Sequence, residues 1–108
     1  MMPVTDAGAE LKRALRVNFV NFGAAVTFES LTSRPWASIT FAGERHKLVL
    51  CLPGPGAQAA VDAFLEGLEE RDFALRGHIL ADIEPTGMAP EPDGQVRLTL
   101  EALTIEDS

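Results

Sequence analysis

Between residues 46 and 70 the chain changes its hydrophobic period, and Pro53-Gly54-Pro55-Gly56 marks the change. Upstream, Leu48, Val49, Leu50 and Cys51 form a near-continuous apolar run, which predicts a strand over 46–52 covered on both faces. Downstream, Ala57, Ala60, Val61, Phe64, Leu65 and Leu68 make one stripe opposite Gln58, Asp62, Glu66, Glu69 and Glu70, which predicts an amphipathic helix over 57–70. The prolines lack donors and fix φ while the glycines allow a sharp turn, so strand and helix cannot merge. A chain built this way must bury a helix stripe against a sheet, and that dictates an α+β domain.

The rest of the chain fills in the expectation. Leu11, Leu15, Phe19 and Phe22 recur at helical spacing, with Thr5 or Asp6 able to cap the start and Gly23 able to end it, so 6–22 reads as a helix. Alternation predicts a strand over 24–31, residues 32–35 have turn composition, and 36–42 is rich in β-branched and aromatic residues. A fourth strand is expected over 73–84, with Ile79 and Ile83 inward and His78, Asp82 and Glu84 outward. Residues 85–94 carry three prolines and two glycines and read as a loop, followed by a fifth strand over 95–105 with Val96, Leu98, Leu100 and Ala102 inward. The expected fold is a two-layer sandwich of about five mostly antiparallel strands and two helices, order αβββαββ, forming one domain over residues 1–108.

Charge and cysteine content narrow the function classes. Nine basic against sixteen acidic residues give a formal net charge of −7, which disfavours nucleic acid and anionic membranes as partners. No apolar stretch is long enough to span a bilayer, and Met1 to Asp6 lacks the basic and apolar regions of a secretory leader. A single cysteine, Cys51, fits a reducing cytoplasm. Its mid-strand apolar setting predicts an inert thiol.

Several residues could carry chemistry. A hairpin with Glu84 opposite Gln95 would place Asp82 opposite Arg97 and His78 opposite Glu101, an acid-base arrangement with His78, Glu101 and Asp82 as catalytic candidates. In that arrangement Glu101 would raise the pKa of His78. Arg34, Trp36 and Arg97 are the ligand-binding candidates, since a guanidinium beside the single tryptophan can stack on it. His46, His78, Cys51 and Asp82 share no ligand motif, so no metal and no cofactor are expected. Ser30, Ser33 and Ser38 lie in no nucleophile turn, and the Pro-Gly segment lacks the lysine and hydroxyl of a phosphate loop.

Two functional readings follow. In the first, a noncatalytic domain associates as a homodimer through the outer sheet face, where Leu31, Trp36, Val49, Leu80, Leu103 and Ile105 are expected to lack cover. Both helices would then cover the face carrying Val26, Phe28, Ile39, Phe41, Ile79, Leu98 and Leu100. The alternative is a small-molecule binding protein or acid-base enzyme using the polar face around His78, Asp82, Arg97 and Glu101.

Overall fold

The computed structural model describes residues 6–107. Helix α1 spans Ala7–Asn21 and begins where the Asp6 carboxylate accepts from the N–H groups of Gly8 (2.9 Å) and Ala9 (3.4 Å). That satisfies donors the helix itself leaves unpaired. Thr5, the other expected cap, lies outside the described residues. Gly23 takes φ 74° just beyond the helix end, a conformation that costs glycine little. Leu11, Leu15 and Phe19 are fully buried, as their spacing predicts.

Strands β1 (Thr27–Ala37) and β2 (Ala42–Leu52) form a hairpin. Helix α2 (Ala57–Leu65) and a 3-10 turn at Leu68–Glu70 follow, then β3 (His78–Pro90) and β4 (Val96–Glu106). The sheet is four-stranded and antiparallel throughout, in the order β1-β2-β4-β3. No helix among the described residues is long and apolar enough to cross a membrane.

Four strands replace the expected five because residues 32–35, read as a turn, are extended and join two expected strands into one; a second segment, read as a loop, lengthens β3. Residues 32–35 lie inside β1, and the hairpin turn sits instead at Ser38 to Phe41, where Ser38 Oγ accepts from the N–H groups of Thr40 (3.3 Å) and Phe41 (3.0 Å). Pro85 and Pro90, expected in a loop, lie in β3, whose start moves from 73 to His78. Both strands are sheet edges, and an edge strand tolerates prolines that a central strand would not. The predicted helix over 57–70 is likewise interrupted at Gly67, φ 73°, which separates α2 from the 3-10 turn.

One face of the sheet carries the core. His46, Leu48, Leu50 and Leu52 of β2 lie beside Val96, Leu98, Leu100, Ala102 and Thr104 of β4, all buried. The apolar ones among them share a cluster with Leu11, Leu15 and Phe19 of α1 and Val61 and Phe64 of α2. Phe19 stacks on Phe64 at 4.4 Å between centroids, and Phe73 meets Phe64 edge-on at 6.4 Å. Arg71 closes the C-terminal end of α2 by donating to the carbonyls of Phe64, Ala63 and Glu66, and its guanidinium lies over the Phe22 and Phe64 rings. A cation there also complements the helix dipole. Buried Glu10 ties α1 to the approach of β3, accepting from Arg13 (3.1 Å) and from the Arg76 N–H (2.7 Å). The Arg13 bond and then the Arg76 N–H hold its carboxyl below the usual carboxylate range.

Candidate functional site

Three bulges decide which side chains reach which face. Glu29, Ala81 and Thr86 are extra residues in the β1–β2 and β3–β4 ladders, and each shifts the alternation of its strand by one. Leu31 therefore pairs with Leu48, and Leu80 with Thr104, on the covered face. Both were expected outside. Ile79 moves the other way, pairing with Ile105 and standing 51% exposed. Ile39 and Phe41, expected inside, lie in the hairpin turn and are exposed.

The same register separates the acid-base candidates. His78 is opposite Glu106, Asp82 opposite Leu103, Glu101 opposite Glu84, and Arg97 opposite Ala89. Glu101 lies five residues from Glu106 along β4, about 17 Å at strand rise. The expected pairs His78–Glu101 and Asp82–Arg97 are thus not formed, because β3 runs on to Pro90 opposite Val96, which moves the hairpin turn beyond Pro90 and slides the ladder away from the register with Glu84 opposite Gln95. His78 is buried on the helix side, away from Asp82 and Glu101.

Arg97 instead makes a two-pronged contact with Glu29 (both bonds 2.9 Å) and a third bond to Glu91 (2.9 Å). Its bond with Arg97 lowers the Glu29 pKa, and the same bond raises that of Arg97. Arg34 and Trp36 share the open face of β1 at positions two apart; the Trp36 indole N–H is buried without an acceptor. Cys51 donates to Gln95 Oε1 at 3.0 Å. Among the described residues, no three metal-ligating side chains of His, Cys, Asp or Glu gather as a group. A depression of about 290 Å³ is lined by Leu68, Glu69, Arg71, Leu80, Asp82 and Glu84; among the candidates only Asp82 reaches it.

Sequence reasoning missed a buried polar chain. His46, 2% exposed, has Ser33 Oγ 2.7 Å from Nδ1 and Thr104 Oγ1 2.9 Å from Nε2. Thr104 Oγ1 in turn lies 3.4 Å from the Glu44 carbonyl, to which only its hydroxyl hydrogen can donate. The hydroxyl oxygen then accepts from Nε2–H. Burial disfavours the charged ring, and in the neutral imidazole Nδ1 accepts from Ser33. Burial pushes the His46 pKa down, with Glu44 and Asp6 pulling the other way. The three residues lie on three different strands, so no local motif announced them.

No protein-family model, curated protein or solved structure matches the chain. Function must therefore be argued from surface chemistry. The surface left by the fold is the sheet face opposite both helices, where Trp36, Val49, Leu103 and Ile105 are partly buried and Ile79 is exposed. Such a face can bind another surface by burying apolar area.

Proposed function

We propose that this domain acts by associating with a second copy of itself through the open sheet face, without catalysis, in a reducing cytoplasm. One observation supports the reading above the others. Both helices share the core on one side of the sheet, while Trp36, Val49, Ile79, Leu103 and Ile105 stand on the side that no helix covers. Trp36, Ile105 and Ile79 share one row across the sheet with Leu103 beside it, and twofold pairing is the commonest way to close such an apolar strip. The lone cysteine, engaged with Gln95, suits a compartment where disulfides do not form.

The alternative, an acid-base enzyme or small-molecule binder, draws its support from His78, Asp82, Arg97 and Glu101 standing together. His78 stands buried on the helix side while Asp82, Arg97 and Glu101 stand on the open face, which favours the association reading over this one. Light scattering behind size-exclusion chromatography tests association. At tens of micromolar the wild type should have twice the 11.6 kDa mass of one chain. Ile79→Glu should return it to the single-chain mass with an unchanged far-ultraviolet spectrum, because a carboxylate buried at an interface is heavily penalised and Ile79 is exposed in the single chain. A wild-type mass of one chain would overturn the reading.

A further inference from the structure

The open face is segregated by charge as well as by polarity. On its β1–β2 half the register sets Arg34 beside Arg45, with Lys47 two residues along; on its β4–β3 half it sets Glu101 beside Glu84, with Asp82 two residues along. All six are exposed, and like charges directly opposite on neighbouring strands destabilise a sheet. Among the described residues, the ion pairs are Arg13–Glu10, Arg97–Glu29 and Arg97–Glu91, so none of these six charges makes a salt bridge within the chain, although Lys47 stands opposite Glu101 across the β2–β4 ladder. The apolar residues Trp36, Ile79 and Ile105 occupy a single row at one end of the strands.

We infer that two copies stack face to face about a twofold axis parallel to the strands and running between β2 and β4, which joins the basic half of each sheet to the acidic half of the other. This rests on the self-association reading and specifies its geometry. The axis carries β1 of one copy over β3 of the other and leaves position along the strands unchanged. Arg34 then meets Asp82 of the second copy, Lys47 meets its Glu101, and Trp36 meets its Ile79. Each contact occurs twice.

A twofold axis across the strands would do the opposite, setting Lys47 against Lys47 and Glu101 against Glu101 while moving the Trp36 row onto the polar end. Charge and apolar content therefore select the same axis. The available area is sufficient. Four strands of about eleven residues at ~3.4 Å rise and ~4.8 Å spacing give a face of roughly 700 Å², close to the ~800 Å² per partner of a stable interface. Two stacked sheets whose strands run within about 30° of each other are an ordinary packing.

Reciprocal charge reversal tests this geometry. Arg34 and Asp82 lie on opposite edges of the sheet, three strand spacings or about 14 Å apart, beyond the ~10 Å screening length at 0.1 M salt. An effect that links them must therefore pass between chains. Arg34→Asp alone and Asp82→Arg alone should each weaken dimerisation at least about tenfold, since both copies of the contact become repulsive. An equimolar mixture of the two variants should form a heterodimer with an affinity within about threefold of the wild-type dimer, because both contacts between positions 34 and 82 are again between opposite charges. Sedimentation velocity with one variant fluorescently labelled reads all three affinities.

Wild-type affinity in either single variant, or a mixture no tighter than the variants alone, overturns the proposed axis while leaving self-association standing. A wild type that stays monomeric overturns both. Both substitutions are at exposed edge positions, and the circular dichroism spectrum of each variant verifies that the subunit is folded.

Discussion

Thr104→Val removes one hydroxyl from a site with no exposed surface while keeping the side-chain shape. In the wild type that hydroxyl accepts from His46 Nε2–H and donates to the Glu44 carbonyl. The valine methyl can do neither. If the imidazole keeps its proton on Nε2, a buried donor loses its acceptor; if the proton moves to Nδ1 and is donated to Ser33, a buried lone pair faces a methyl group. Either way one nitrogen is left unpaired, at about 1–3 kcal/mol. Taking about 2 kcal/mol, and about 4–8 °C of melting temperature per kcal/mol for a domain of this size, the melting point should fall by about 8–16 °C. Chemical denaturation should show a lower midpoint with an unchanged slope. His46→Leu in the Thr104→Val background closes a double-mutant cycle. The leucine removes the orphaned nitrogen, so the double variant should lose less than the two single losses combined. Additive losses, or a Thr104→Val cost under about 0.5 kcal/mol, would refute the buried His46–Thr104 hydrogen bond.

The remaining predictions concern the same protein in solution. Because burial lowers the folded pKa of His46 beneath the ordinary histidine value of about 6.5, the unfolded chain binds the extra proton first. The stability from keeping His46 neutral is fully present above the unfolded pKa and is lost as pH falls through the folded pKa, with a slope of at most about 1.4 kcal/mol per pH unit. Urea titrations of wild type and His46→Gln between about pH 7.5 and 5 should show the steeper loss in wild type; equal slopes would contradict it. At Gly43 an added Cβ would stand 1.9 Å from the Thr104 carbonyl oxygen and 3.0 Å from Ile105 Cα, both backbone atoms of the next strand. Gly43→Ala should therefore cost about 1–3 kcal/mol, whereas Gly87→Ala, whose Cβ meets Thr99 at an ordinary 3.6 Å, should change stability by under about 1 kcal/mol. Comparable melting points for the two would be inconsistent with this geometry. Phe64→Ala removes the ring stacked between Phe19 and Phe73 and should cost about 3–5 kcal/mol, read as a lowered denaturation midpoint; a loss below about 1 kcal/mol would show that the cluster refills the cavity.

Much of this architecture is local and therefore readable in the chain itself. The periodicity of Leu11, Leu15 and Phe19, the Asp6 cap, the Pro-Gly boundary and the inward set Val96, Leu98, Leu100 and Ala102 each depend on neighbours a few residues away, and each holds in the fold. His46 with Leu48 and Leu50 on one face and Cys51 with Val49 on the other follow from strand alternation, because β2 runs without a bulge against β4. Tertiary structure decided the rest. Pro35, Pro85 and Pro90 punctuate a sequence as turns do, yet they are tolerated in strands when those strands form the sheet edges, and an edge is defined only by which strands pair. Bulges at Glu29 and Ala81 exchange the faces of Leu31, Leu80 and Ile79, because one inserted residue reverses every side chain beyond it, and the extension of β3 to Pro90 parts His78 from Glu101. The His46 chain and the separation of Arg34, Arg45 and Lys47 from Asp82, Glu84 and Glu101 arise only once the order β1-β2-β4-β3 brings distant segments side by side. Sequence period sets which residues of one strand share a face; the pairing of strands sets which residues of different strands meet there.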